Sequence, residues 1–329
     1  MNRFYRLQVL SRPIRGFSDG DNTLMDLKIV ESIANAVLYE GYLLYPYRPT
    51  AIKNRRRFNF GVVHPQDYGL AHDELLCAQA ECLAVCNWRM AVDVRVRFLH
   101  LTGREDWQGA IAREVAAPAL RTDLLVEPLQ LNFAFPAKRA NESCEQEPIN
   151  GNIEIAACQV AERVFKITAR ILNLTPLADA AEMGRDDALK RSLVSTHIIL
   201  NVRGGEFISL LDPPESFREM AGSLRNIGTY PVLVGAEGER DTMLASPIIL
   251  YDYPQIAPES PGDFFDATEI DEMLALRILT LTDEEKREMR NGDERARRIL
   301  ERTESMPAEQ LMKLHGAVRG LRLAARGSV

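Results

Sequence analysis

The sequence predicts an α+β protein, in which an antiparallel β-sandwich-like core lies between an N-terminal helix and a helical C-terminal segment. Three observations predict this class. Apolar and polar residues alternate in many short central runs, as they do in half-buried strands. Apolar residues near the start recur every three or four positions, and the last quarter carries a helix-capping motif and charged helical faces. The predicted segments are residues 1–45, 46–253 and 254–329.

The composition indicates a folded protein and excludes several classes. The chain has 329 residues, of which 46% are hydrophobic and 26% are charged, enough for a sizeable core. A net charge of −7 disfavours a general nucleic-acid binder. No run of about 18 apolar residues is available for a membrane span. Five cysteines, together with a start that lacks the apolar stretch of a secretory signal, predict a cytoplasmic protein with reduced thiols.

The N-terminal helix is predicted at residues 23–40. Leu24, Leu27, Val30 and Ile33 follow one another at helical spacing, and Gly41 suits the position after a helix end. Residues 45–58 contain two prolines and no period, which predicts a loop that leads into a strand at 58–63.

The central region predicts a series of antiparallel strands. Residues 77–86 and 90–99 are expected to form a hairpin that turns at residues 87–89, because this register places Glu81 opposite Arg95. The further elements predicted up to residue 251 are strands at 152–160 and 164–174 with a turn at 162–163, a helix at 177–191, strands at 193–202 and 206–211 with Gly204-Gly205 as the turn, and short apolar runs at 231–234 and 247–251.

Beyond a proline-rich connection at 252–262, the chain predicts helices. Thr282 and Glu285 form a capping box, and Pro307 suits a first helical turn. The predicted helices cover residues 266–278, 283–289, 293–302 and 307–323.

Common catalytic motifs are missing from the sequence. There is no GxxxxGK[ST] phosphate loop, no GxSxG nucleophile elbow and no HxxxH or HExxH metal spacing. His197 lies in a predicted strand, where a structural histidine is expected more often than a catalytic base. No catalytic residue, metal ligand or cofactor is therefore predicted.

Three cysteines lie close together at gaps of five and four positions. Cys77, Cys82 and Cys86 lack the paired CxxC elements of structural zinc sites. On a strand, Cys82 and Cys86 would be about 13 Å apart, which is too far to share one ion. We therefore expect buried, apolar cysteines here, and an exposed thiol at Cys144.

A basic segment rich in aromatic residues is the first candidate binding site. It suits a carboxylate, a phosphate or an acidic partner surface, although a solvated loop that pairs with the protein's own acids explains it equally well. Its residues are Tyr45, Tyr47, Arg48, Lys53, Arg55, Arg56 and Arg57.

An acidic segment is the second candidate. Asp266 and Glu269 lie one helical turn apart and suit a hard cation such as magnesium. Helix capping and dipole interactions explain the same acids without a ligand, and we favour them. The residues concerned are Glu259, Asp263, Asp266 and Glu269.

Two long blocks of sequence carry a family resemblance. One runs from Leu43 to Arg48 and continues through Lys53-Asn-Arg and Phe60-Gly61; the other runs from Ser246 to Asp263 and continues to Lys286. These blocks resemble an uncharacterised bacterial family whose members are encoded among the structural and maturation genes of nickel–iron hydrogenases. The resemblance implies a hydrogenase subunit or maturation factor as partner, and it supplies no chemistry for individual residues.

The leading functional prediction is a non-catalytic accessory protein in the assembly or organisation of a nickel–iron hydrogenase. It would bind its partner through the basic segment and residues 254–272, where Tyr, Phe, Arg and Pro are dense. One alternative is a cation-dependent enzyme that uses Asp263, Asp266 and Glu269 on an anionic substrate. The other is a nickel or iron carrier that uses the three clustered cysteines.

Overall fold

A computed structural model describes residues 33–35, 60–104, 107–140 and 144–255, together with single positions between 282 and 305. The chain divides into two units. The first comprises residues 1–44 and 49–255, and the second comprises residues 45–48 and 256–329.

The described part of the first unit consists mainly of antiparallel strands. Short helices lie between some of them, and residues 33–35 are also helical. The strands are β1 (Cys77–Arg104), β2 (Trp107–Arg121), β3 (Leu129–Phe135), β4 (Lys138–Ala140), β5 (Cys144–Gln146), β6 (Ile149–Ala161), β7 (Val164–Asn173), β8 (Val194–Phe207), β9 (Tyr230–Leu233) and β10 (Thr242–Ser246). The helices are α1 (Gln66–His72), α2 (Arg185–Leu189) and α3 (Arg218–Gly222), with 3-10 turns at Thr122–Leu124 and Glu215–Phe217.

One long strand organises the sheet. The strand order is β3-β6-β7-β1-β8-β10-β9, and β2 also pairs with β1, while β4 and β5 form a separate ribbon. β8 pairs along one edge of β1. On the other edge, β7 pairs with residues 77–85 of β1 and β2 pairs with residues 91–104. The sheet therefore curls into a nearly closed barrel.

The interior of this barrel is the main hydrophobic core. Alternate residues of β1 face inward, from Val92 to Phe98, and meet inward residues of β6, β7 and β8. The Phe98 ring lies 6.1 Å from that of Phe133 and 5.8 Å from that of Phe135. A Cβ atom on Gly151 would come within 2.2 Å of the Phe133 ring, so this phenyl ring requires a glycine beneath it.

The outer surface of the sheet is also covered in places. Ile33 and Ala34 belong to a cluster with Ile199, Val232 and Leu244. Around α3, Met220 and Leu224 pack on a second cluster formed by Leu83, Val164 and Ile208. Several strands therefore bury both faces, and their sequences need not alternate between apolar and polar residues.

The predicted fold class is wrong. Among the described residues, strands take up 49% and helices 18%, and the main sheet is a nearly closed barrel-like surface rather than the sandwich-like core of a balanced α+β protein. Alternating strands in sequence fit a sandwich and a barrel equally well, because both bury one face of each strand. The choice between a sandwich and a barrel depends on which strands pair with each other. The alternation of apolar and polar residues does not predict that pairing.

The hairpin predicted at residues 77–99 is also wrong. Residues 77–104 form one continuous strand that pairs with three other strands. At residues 87–90, β1 bulges where it runs beside Gly204, which has a φ of +79° and whose Cβ would lie 2.5 Å from the Arg89 carbonyl oxygen. Gly204-Gly205 therefore accommodates the bulge inside β8 and is not the predicted hairpin turn.

Other predicted elements are shorter than expected. The helix expected at 177–191 is confined to Arg185–Leu189. The strand at 58–63 is reduced, in its described part, to a bridge between Val63 and Leu193. No strand forms at 247–251.

The hairpin at 152–174 is confirmed. β6 and β7 pair in antiparallel register around the turn at 162–163, and Arg163 has the positive φ, 59°, of a tight turn. Residues 33–35 are helical, in agreement with the predicted N-terminal helix, and the rest of that helix lies outside the described residues.

The second unit is described only at separate positions. Residues 283, 286, 287, 290, 297, 300, 301 and 304 are helical. Glu304 pairs with Lys286 at 3.3 Å and with Arg290 at 3.0 Å, and Leu300 is buried. Among the described residues of the chain, no helix has the length and apolar character needed to cross a membrane.

Candidate functional site

Both predicted binding segments lie outside the described residues. This applies to Tyr45, Tyr47, Arg48, Lys53, Arg55, Arg56 and Arg57 of the basic segment, and to Glu259, Asp263, Asp266 and Glu269 of the acidic segment. The second resembling block nevertheless begins inside the described part, at Ser246, the last residue of β10.

The loop of residues 247–253 is fixed by hydrogen bonds at both ends. At its start, Ile248 N–H donates to Ser246 Oγ at 3.1 Å. At its end, Asp252 accepts from Leu233 N–H at 2.8 Å and from Ser209 Oγ at 2.5 Å, while Tyr253 N–H donates to the Leu233 carbonyl at 2.7 Å. The loop is therefore held against β9, the last strand in the sheet order.

Two large apolar side chains project from this loop. Ile249 is 75% exposed and Tyr251 is 87% exposed, whereas Ile248 and Leu250 between them pack on the Ile33–Val232 cluster. The inward pair thus holds the outward pair in place. Tyr230, also exposed, stands opposite Ser246 in the register of β9 and β10. We call Ile249, Tyr251 and Tyr230 the apolar surface.

The block is recognisable in the sequence, but the two outward side chains are not. The run Ile248-Ile249-Leu250-Tyr251 is apolar throughout, so it gave no signal of which residues face solvent. One feature of the sequence does indicate exposure, because the run lies between Pro247 and Pro254. The prolines keep the segment out of the sheet, so alternate side chains are left uncovered.

A polar cluster occupies one end of the barrel. His100 Nε2 donates to the Glu147 carbonyl at 2.9 Å, and Arg113 Nη2 donates to Gln146 Oε1 at 2.7 Å. Both side chains lie around Phe135: the Arg113 guanidinium carbon is 4.8 Å from the ring centroid, and the His100 ring meets it edge-on at 6.4 Å. Burial, reinforced by the nearby Arg113 charge, lowers the pKa of His100 to about 4.

A second buried histidine lies beside α1. His64 Nδ1 is 3.1 Å from Ser192 Oγ, and its Nε2 is 3.9 Å from Glu74 Oε2. This Ser–His–Glu order resembles a catalytic triad, but Ser192 is buried and its hydroxyl donates to the Ala188 carbonyl at 2.7 Å. His64 must then donate from Nδ1, so it has no lone pair with which to remove the Ser192 proton. The arrangement is structural.

The expected burial of the three clustered cysteines is confirmed. Cys77, Cys82 and Cys86 are buried, and burial raises the pKa of the Cys82 thiol well above its ordinary value. Among the described residues, no group of three or more His, Cys, Asp or Glu side chains is placed to hold a metal ion. Cys158, on β6, is exposed. The side chain of Cys144 lies outside the description.

We predict that alkylation of the native protein labels Cys158 and spares the three buried cysteines. Only a thiolate reacts, and buried thiols are both inaccessible and hard to ionise. Peptide mapping after a short iodoacetamide pulse measures this, and the same pulse in denaturant serves as the control that labels every cysteine. Native labelling of Cys82 at the rate of Cys158 would contradict the burial of β1.

Comparison of the chain with protein-family models gave no match, and comparison with curated proteins gave no significant match.

Proposed function

We propose that the protein is a non-catalytic accessory protein that binds a subunit or maturation factor of a nickel–iron hydrogenase, with the apolar surface as part of its binding face. The observation that carries the proposal is the pair of outward side chains, Ile249 and Tyr251, on a loop held by Asp252. This loop belongs to the longer of the two blocks that carry the family resemblance. The hydrogenase context comes from that resemblance.

The physical argument rests on preorganisation. Protein interfaces are enriched in Tyr, and a few large anchors account for most of the binding free energy. An anchor on a mobile loop loses part of that energy when the loop becomes ordered. Here the Asp252 side chain already accepts from Ser209 Oγ and from Leu233 N–H, and Tyr253 N–H already donates to the Leu233 carbonyl. Little ordering therefore remains to be done on binding.

The described residues favour neither alternative function. The acids of the cation-dependent enzyme lie outside them. The carrier hypothesis requires thiolates, and burial of Cys82 favours its protonated form. Both alternatives stay predictions that metal analysis of the purified protein tests.

The proposal predicts that tagged protein retains a hydrogenase subunit or maturation factor when it is purified from cells that produce the hydrogenase. Replacing Ile249 by Ser and Tyr251 by Ala together should weaken this binding by about 30-fold or more, since each truncated anchor typically costs about 1–2 kcal/mol. Biolayer interferometry with the retained partner measures the change.

Leu124→Ala provides the matched control, because Leu124 is a similarly exposed apolar residue in a 3-10 turn elsewhere. It should leave binding unchanged. The proposal fails if the wild-type protein retains no hydrogenase-related protein and a deletion strain keeps normal hydrogenase activity. If the partner is retained equally by the double variant, the apolar surface is not its binding face.

A further inference from the structure

Two buried polar atoms at the end of the barrel have no hydrogen-bond partner. They are Nδ1 of His100 and Nε of Arg113. His100 pairs with Ile111 across β1 and β2, and Arg113 pairs with Phe98. The two residues are therefore diagonal neighbours on the inner face of the sheet, and both contact the Phe135 ring.

Among the described residues, no acid balances the charge of Arg113. Arg97 pairs with Glu114, Arg191 with Glu147, and Arg203 with Asp93. Within the described part of the chain, no carboxylate lies within ion-pair distance of Arg113; its partners are the Gln146 amide and the Phe135 ring. A partly buried guanidinium stays protonated, so an anion beside it would be stabilised.

The hydrogen bond made by His100 determines whether the anion must itself supply a proton. Nε2 faces the Glu147 carbonyl, which accepts only, so the ring proton of neutral His100 lies on Nε2. Nδ1 is then an acceptor. A ligand that satisfies both free atoms accepts a hydrogen bond from Arg113 Nε–H and donates one to His100 Nδ1.

We propose that His100 and Arg113 form a binding site for a small oxyanion that carries one proton, the chemistry shared by hydrogencarbonate and hydrogenphosphate. Gln146, which is buried, holds the guanidinium in place by its side-chain oxygen and is itself fixed by a 2.9 Å hydrogen bond to the Pro136 carbonyl. Ile111, opposite His100, is 41% exposed, whereas His100 itself is fully buried, so the site lies beneath the surface next to an exposed side chain. The site is separate in chemistry and residues from the apolar surface.

Nitrogen resonances of the histidine rings test the proposal on the full-length wild-type protein. Long-range proton–nitrogen spectra are recorded during separate titrations with phosphate, hydrogencarbonate and sulfate near neutral pH, at constant ionic strength set with chloride. We expect the Nδ1 resonance of His100 to shift saturably with phosphate, hydrogencarbonate or both. His197, which is also buried and has an unpartnered Nε2, should not shift.

Sulfate is the discriminating anion, since it carries no proton at this pH. It should bind at least about tenfold more weakly than the better of the other two, because it leaves His100 Nδ1 without a donor. The anion that binds more tightly, phosphate or hydrogencarbonate, is the one for which the site is suited. Equal binding of all three anions, or no saturable shift at His100 with any of them, would overturn the proposal.

Two variants and a matched control complete the test by calorimetry. Arg113→Gln removes the charge, and Arg113→Lys keeps the charge while it removes the Nε–H donor; each should lower affinity by about tenfold or more. Arg170→Gln removes a cation from β7 that pairs with Glu154, and it should leave affinity unchanged. Unchanged affinity in folded Arg113→Gln would refute the site.

Discussion

The folded protein is expected to lose stability steeply as the pH falls from about 6.5 to about 4. Three histidines cause this: His64, His100 and His197 are each at most 1% exposed and are buried as neutral rings. Burial lowers the pKa of His64 and of His100 to about 4, and that of His197 to about 3. The positive charge of the nearby Arg97 lowers the pKa of His197 further.

The sign follows from the difference in bound protons. In the unfolded chain each ring takes up a proton as the pH falls through about 6.5. In the folded protein the ring stays neutral until the pH approaches its lowered pKa. The unfolded state therefore binds up to three more protons in this window. Each proton costs about 1.4 kcal/mol of unfolding free energy per pH unit, so the three together cost roughly 3–4 kcal/mol per unit.

Urea denaturation at closely spaced pH values between neutral and mildly acidic conditions measures this slope. His197→Asn is the informative variant, because its amide nitrogen replaces Nδ1 as donor to the Ser195 carbonyl but takes up no proton. It should flatten the slope by about one proton. His72→Gln, at an exposed position, is the control and should leave the slope unchanged. An unfolding free energy that stays constant down to about pH 5 would contradict the buried neutral rings.

Replacing Asn173 by leucine should destabilise the protein by roughly 3–5 kcal/mol. Asn173 is fully buried at the end of β7. Its amide nitrogen donates to the Val63 carbonyl at 3.1 Å and to the Arg191 carbonyl at 2.8 Å, and its oxygen accepts from Thr175 N–H at 3.1 Å. Leucine has a similar volume but leaves three buried backbone groups without this partner.

Thermal and urea unfolding of purified Asn173→Leu measures the loss. Asn132→Leu is the matched control, since Asn132 is an exposed asparagine on β3 whose side chain accepts one hydrogen bond from Asn152. The control should cost only about 1 kcal/mol, because a single side-chain amide, that of Asn152, loses its partner and no backbone group does. A similarly small change in Asn173→Leu would show that the three contacts do not hold the Val63 and Arg191 segments to the barrel.

Local pairing was predictable from the sequence, and distant pairing was not. The β6–β7 hairpin follows from alternation on both sides of Glu162-Arg163, so local signals were sufficient there. For β1, alternation indicated strands correctly, but its partners β7 and β8 lie far along the chain. Residues 87–89 were mistaken for a turn, because turn residues and bulge residues are of the same types.

The candidate sites show the same division. Ile249 and Tyr251 lie in a block that the sequence singled out, although only the packing of Ile248 and Leu250 reveals which side chains face outward. His100 and Arg113 form no motif, since they lie on different strands and Gln146 comes from a third. A site of this kind exists only once the strands are paired.

The sharing of β1 among three strands has a consequence for the order of folding. β2 and β1 are adjacent in sequence and can pair early, but β8 begins 90 residues after β1 ends. At ordinary translation rates of about 5–20 residues per second, one edge of β1 waits roughly 5–18 s on the ribosome for its partner. During that time the edge of β1 that β8 later covers, along residues 84–99, is unpaired, so this topology exposes the nascent chain to pairing with other chains while it is being synthesised.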